Sequence, residues 1–346
     1  MKIINNDTLH ETLLEQDPLL KFDENADYGE WREKLRQKYI ELLGLDEIAK
    51  NACDIHVEIE ETVKQDGYIR YRYVFQSEKG CDLPCYLLVP DTGKEKYPVL
   101  LCLQGHSGGF HISIGEKRYE GDESQLETST FALDGVKNGY AALCIEQRGM
   151  GERQTPRNDR GRVEGIGCPC YYTAFTALML GRTLLGERVW DVSRAIDSLS
   201  YFKNLDLDDI TCLGTSGGGT ATYYAACYDE RIKLAVPSCS ICSYRASIGE
   251  FWHCSCNYVP GSAKYFDMGE LAALIAPRKL MLVNGKIDPI FPIDGTYQVY
   301  STIEKIYKKA GVADNCELVE TEREHYFCKD IVFGKIGRNH DENAIK

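Results

Sequence analysis

The stretch Ile210-Thr211-Cys212-Leu213-Gly214-Thr215-Ser216-Gly217-Gly218-Gly219-Thr220-Ala221 decides how this chain reads. A short apolar run, Ile210–Leu213, ends at a glycine-flanked serine. Small residues then lead into Thr222-Tyr223-Tyr224-Ala225-Ala226, a helix-like sequence. This is G-x-S-x-G set between a strand and a helix. A serine on so sharp a turn adopts strained backbone angles, and its neighbours must be small to clear both elements. The start of the helix aims backbone amides at an oxyanion forming beside it. Ser216 is therefore the candidate nucleophile.

Outward from this turn, fully apolar runs recur at Val99–Leu103, Ala141–Ile145, Leu234–Val236 and Leu280–Val283. Such runs, separated by helical stretches, are what strands buried on both faces of a parallel sheet look like. Between two of them, Leu185, Val189, Val192, Ile196 and Leu199 follow a helical spacing that makes one apolar stripe. Upstream the pattern changes to alternation: His56–Val63 and Tyr68–Phe75 flank the turn pair Asp66-Gly67, and Leu83–Val89 ends at Pro90. The first fifty residues carry helical spacing at Trp31, Leu35, Tyr39 and Leu42. The expected fold class is α/β: a mostly parallel central sheet with helices on both faces, an N-terminal helical extension and a lid-like insertion. Residues 1–52 would be the extension and 53–346 one domain, with insertions at about 151–170 and 238–276. In such sheets the chemistry sits beyond the carboxyl ends of the strands.

A nucleophilic serine needs a base, and the base an orienting carboxylate, in the chain order Ser, acid, His. Three histidines follow Ser216. His340 lies in a polar tail, His253 in an aromatic stretch with no strand before it, and His325 just beyond the strand-like run Cys316–Thr321. His325 is the expected base. The acid is expected at Asp288, on the turn after Leu280–Val283. Asp294 is the fallback, with a helix N-cap as its other role. For the oxyanion, one amide would come from Gly217 and a second from His106, in Gln104-Gly105-His106-Ser107-Gly108-Gly109 after the Val99–Leu103 strand. The His106 imidazole is read as structural or site-lining, with a catalytic base as the alternative.

Composition narrows the field. The 346 residues carry a net charge of −13, a poor match for neutralising nucleic-acid phosphates. No apolar stretch is long enough to span a membrane, and Met1–Lys21 lacks the apolar core of a secretory signal. Fifteen cysteines, many inside apolar runs, suggest buried free thiols and a cytoplasmic location. Cys168 with Cys170, Cys239 with Cys242, and Cys254 with Cys256 are possible ligand pairs. Only the second has C-x2-C spacing and no partner motif follows, so neither a metal nor another cofactor is expected.

Several motifs occur together in order: Leu103-Gln104-Gly105-His106, Glu146-Gln147-Arg148-Gly149-Met150-Gly151, Arg188-Val189-Trp190-Asp191 through Asp197, Gly214–Gly218, and Ala276-Pro277-Arg278 through Gly285-Lys286-Ile287-Asp288-Pro289. In these the chain resembles the α/β-hydrolase superfamily, specifically its dienelactone-hydrolase-like and acetyl xylan esterase (cephalosporin-C deacetylase)-like branches, over about residues 53 to 335. The resemblance implies a metal-independent serine esterase with Ser216, Asp288 and His325 as its triad and His106 and Gly217 as its oxyanion amides. Serine in place of the dienelactone hydrolases' cysteine favours ester substrates. Arg148 and Asp191 fall in motifs that are more often structural ion pairs. The expected substrate is a small-molecule ester, with an acetylated oligosaccharide favoured. Phe251, Trp252 and Tyr258 in the aromatic insertion would bind it, or else pack as a satellite core. Rival readings are a serine peptidase of the same fold and a non-enzymatic binding module on its scaffold. The Gly/Arg-rich insertion would be a wall of the site or a homo-oligomer contact.

Overall fold

The protein is described by a computed structural model over residues 5–154 and 170–337. Its strands are β1 (Glu58–Gln65), β2 (Tyr68–Glu78), β3 (Cys81–Pro90), β4 (Tyr97–Leu103), β5 (Ala141–Ile145), β6 (Leu205–Thr215), β7 (Ile232–Ser238), β8 (Lys279–Gly285) and β9 (Cys316–Thr321). Together they form one sheet in the order β1-β2-β3-β5-β4-β6-β7-β8-β9. The alternating sequence at the start becomes antiparallel pairing through β1, β2, β3 and β5, with Asp66 and Gly67 as the two-residue turn between Gln65 and Tyr68. From β5 to β9 every pair is parallel. The change matches the change in sequence pattern. Strands covered on both faces read as continuous apolar runs, and half-covered ones alternate.

Helices close both faces. Leu184–Ser198, Gly217–Tyr228, Met268–Ile275 and Ile293–Lys309 build the larger core on one side. Phe131–Lys137 and Lys329–Ile336 cover the other, packing Phe131, Val332 and Phe333 under β4, β5 and β8. The N-terminal helices Tyr28–Leu43 and Leu45–Ala49 lie outside the first layer. Trp31, Leu35, Tyr39 and Leu43 form the buried stripe, and the Tyr39 hydroxyl donates to the Tyr224 carbonyl at 2.5 Å. The extension thereby backs the helix that leaves Ser216. The stretch between β7 and β8 ends in Met268–Ile275, wholly buried, so its last turns are a crossover helix of the sheet. Most of the Gly/Arg-rich insertion, Cys168 and His340 lie outside the described residues.

Pairing aligns the strand ends. Leu103 lies opposite Gly214, Thr215 opposite Ser238, Ser238 opposite Val283, and Gly285 opposite Thr321. Residues just past each end therefore gather at one edge of the sheet.

Candidate active site

Ser216 stands at the junction of β6 and the helix Gly217–Tyr228, with φ 53° and ψ −123°. A non-glycine residue held at positive φ is strained and persists only where its surroundings over-determine it. The Ser216 amide donates to the Ser238 carbonyl at 2.9 Å, and the Ser216 carbonyl accepts from Thr220 N–H at 2.9 Å. Gly218 leaves no alternative packing, because a Cβ there would lie 2.1 Å from the Leu103 carbonyl oxygen.

His325, beyond β9, donates Nδ1–H to Asp288 Oδ2 at 2.8 Å. The other oxygen of Asp288 accepts the amides of Ile290 and Phe291 at 2.8 and 3.0 Å, which fixes the carboxylate rotamer. Burial alone would raise the Asp288 pKa, but the hydrogen bond and charge of His325 outweigh it and hold the carboxyl below its usual value. Phe291 stacks on the His325 ring with centroids 5.8 Å apart. Asp294 does not compete. It is exposed in the first turn of Ile293–Lys309, whose N-cap is Pro292 with no side-chain cap bond. The N-cap role expected for Asp294 is therefore also incorrect: Pro292 takes that position, and the aspartate can act only through the helix dipole.

His106 and Gly217 meet closely. A Cβ on Gly217 would lie 2.6 Å from His106 Cε1. Ser216, Gly105, His106 and His325 all line one cavity of about 500 Å³. A serine on a strained turn, a carboxylate-held imidazole and a helix N-terminus thus share a single wall.

Comparison with known proteins agrees with this topology. A family model described as Abhydrolase family matches residues 3–164. A candidate acetyl xylan esterase (BF1801) from Bacteroides fragilis NCTC 9343 superposes with a TM-score of 0.80 at 17% identity, covering 97% of this chain and 94% of that one. The chain has an α/β-hydrolase fold. A glucuronoyl esterase from Solibacter usitatus gives a TM-score of 0.64 at 15% identity over 92% of this chain and 95% of its own. Among curated proteins, the candidate hydrolase YtaP of Bacillus subtilis (strain 168) is 27% identical over 251 residues, covering 70% of this chain and 78% of that protein.

The aromatic insertion contributes unevenly. Trp252 lines the cavity with 74% of its surface exposed. Tyr258 does not reach it and lines a separate hollow beside Leu14 and Tyr244. Phe251 is exposed and is not among the cavity's lining residues. Assigning all three to the site from composition fails because alternate residues of an irregular loop point in different directions. His253, set aside in the sequence, does line the cavity. Ser247 Oγ donates to the Ile290 carbonyl at 2.7 Å and so accepts from His253 Nε2 at 3.0 Å. Burial, with His325 nearby, pulls the His253 pKa down to about 4, so this ring is neutral at neutral pH.

A second group lies behind the oxyanion loop. His106 Nε2 and the sulfurs of Cys170, Cys254 and Cys256 all fall within 4.8 Å of one another. The His106 ring is desolvated, which lowers its pKa, but Cys256 and Cys170 together raise it to about 10. Sequence spacing argued against cysteine ligands. Spacing does not reveal this cluster, because its four members come from three separate stretches of chain and only folding brings them together.

Arg148 and Asp191 form a buried frame, as the motifs suggested. Arg148 Nε and Nη2 donate to Asp191 at 2.9 and 2.8 Å, and Asp191 also accepts from Ser77 Oγ at 2.6 Å and Arg153 Nη1 at 2.6 Å.

Proposed function

We propose that this chain, with its α/β-hydrolase fold, is a serine carboxylic ester hydrolase, with acetyl esters of carbohydrates as its substrate class. Ser216 Oγ attacks the ester carbonyl as His325 accepts its proton, forming a tetrahedral oxyanion. Asp288 keeps the imidazole in the tautomer that has Nε2 free for that proton. The amides of His106 and Gly217 receive the oxyanion, where fixed donors act without reorganising. Collapse expels the alcohol, which takes the proton from His325, and water then releases the acyl group by the same steps. The observation that carries this reading is the 2.8 Å bond from His325 to Asp288 on the wall that also holds Ser216 at positive φ. Acetyl xylan esterases among the fold neighbours support the acetyl preference.

The test uses Ser216→Ala beside a substrate panel. The panel holds p-nitrophenyl esters of rising chain length, acetylated xylo-oligosaccharides, cephalosporin C and a methyl glucuronate ester. The expected outcome is activity highest on acetyl esters and lost by about four decades or more in Ser216→Ala, with melting temperature retained. A variant that keeps a tenth of wild-type turnover removes Ser216 as nucleophile. Preference for the methyl glucuronate ester overturns the acetyl assignment.

A further inference from the structure

The cluster behind the oxyanion loop is built like a ligand set. Cys256 Sγ lies 3.2 Å from Cys254 Sγ and 3.4 Å from His106 Nε2, and Cys170 Sγ lies 3.7 Å from that nitrogen. Sulfurs placed about 2.3 Å from a tetrahedral Zn2+ are separated by about 3.8 Å. The two sulfur–nitrogen separations, 3.4 and 3.7 Å, lie either side of the about 3.5 Å expected for a sulfur and an imidazole nitrogen on one tetrahedral Zn2+, and the sulfur–sulfur separation of 3.2 Å is shorter than the metal-bound value. All three cysteines are buried.

Charge supplies a second, independent observation. Arg188 is 1% exposed. Its guanidinium donates twice to the Arg148 carbonyl, at 3.1 and 2.7 Å, and once to Cys170 Sγ at 3.0 Å. Among the described residues no carboxylate forms an ion pair with it. An isolated buried cation is costly, so a partner of opposite charge is required. The cysteine sulfurs beside it provide one as thiolates. Three thiolates and a neutral imidazole around a divalent cation carry a net charge of −1, which Arg188 cancels.

We infer that His106, Cys170, Cys254 and Cys256 bind one zinc ion as a closed, structural Cys3His centre. On binding, each protonated thiol releases its proton to solvent and donates a sulfur lone pair to the metal, with no change of oxidation state. Three sulfurs and one imidazole nitrogen suit Zn2+ better than hard cations, and four protein donors leave no position for water or substrate. The centre fastens the loop that follows β4 to Cys170, next to the helix Tyr171–Met179, and to the insertion that carries Trp252 and His253.

Metal content tests this without reference to catalysis. The full chain is purified under reducing conditions without chelator from zinc-supplemented cells, and its zinc is measured by elemental analysis. About one zinc per chain is expected in the wild type, in Ser216→Ala and in the control Cys53→Ser. Cys170→Ser and Cys254→Ser are expected to fall at least about tenfold in retained zinc. In case those two variants do not fold, wild type is also reconstituted with Co2+. Tetrahedral d–d bands with strong thiolate-to-cobalt charge transfer are expected. Wild type below about a tenth of an ion per chain after zinc reconstitution, ligand variants that keep wild-type zinc, or an octahedral cobalt spectrum each overturn the assignment. Because the inactive Ser216→Ala chain must still hold the metal, failure of the esterase reading and failure of this one give different results.

Discussion

Asp288→Asn separates orientation from mere presence of a hydrogen-bonding group. In the native site Oδ1 accepts two amides, from Ile290 and Phe291, while Oδ2 accepts from His325 Nδ1. The substituted amide has two orientations. Turning its NH2 toward the backbone would leave two buried donors without acceptors, at about 1–3 kcal/mol each. Keeping its oxygen there points the NH2 at His325. Two donors cannot share that contact, so the imidazole moves its proton from Nδ1 to Nε2, the nitrogen the serine proton needs. The expected loss in kcat is on the order of 10⁴, or about 5.4 kcal/mol at about 1.36 kcal/mol per decade. KM should change little, because Asp288 does not touch the substrate. The assay is steady-state hydrolysis of p-nitrophenyl acetate, with thermal melts to confirm the fold, and Asp294→Asn as the control that stays within severalfold of wild type. If Asp288→Asn stays within tenfold of wild-type kcat, or Asp294→Asn shows the large loss, Asp288 is not the orienting acid.

Two further outcomes concern stability. Asp191→Asn leaves Arg148 and Arg153 buried with less than their native charge compensation, and should cost about 3–5 kcal/mol by urea unfolding at neutral pH. Burial would raise the Asp191 pKa, but the charges of Arg148 and Arg153 depress it far below the carboxylate range. Its contribution is therefore complete above the unfolded value of about 3.9 and declines as pH falls toward the folded value, so the gap between wild type and variant must narrow below about pH 3.9. A gap that widens in acid contradicts the pairing. Gly218→Ala places a methyl 2.1 Å from the Leu103 carbonyl oxygen, a backbone atom that cannot swing aside. A loss of about 3 kcal/mol is expected, and a melting temperature equal to wild type would show that the turn can open.

Strand positions were legible because each apolar run had to fill a sheet covered on both faces. Ala141–Ile145 matches β5 end to end, the more polar edge run Cys316–Thr321 matches β9, and the helical stripe from Leu185 to Leu199 follows Leu184–Ser198 and ends at its C-cap. Strand order was not legible, since β4 and β5 exchange places through contacts far apart in sequence. At the site, Ser216 was readable from its local turn, and Asp288 and His325 from their places after strands. Tyr258 and Phe251 were misread because an irregular loop has no period from which to infer direction. The sulfur cluster was not legible for a related reason. Spacing rules detect ligands carried on one local hairpin or knuckle, whereas here positions 106, 170, 254 and 256 converge only in three dimensions.

His106 shows why residue type alone misleads beside a nucleophile. A histidine packed against the residue after the candidate nucleophile offers a base as one reading, yet its Nε2 faces two sulfurs at 3.4 and 3.7 Å, and Asp288 is bonded to a different imidazole. Its ring packs on the Cα of Gly217. Any group that holds the ring therefore also sets the separation between the two main-chain segments proposed to receive the oxyanion. Such donors are effective only if they are in place before charge develops, and a glycine-rich loop is poorly suited to holding itself in place. A rigid anchor on the far side of the imidazole meets that need while leaving Ser216, His325 and Asp288 to the proton transfers. The sulfur cluster and the proposed triad thus have separate tasks in this reading, and they are joined through one side chain, His106, to which the proposed mechanism gives no proton.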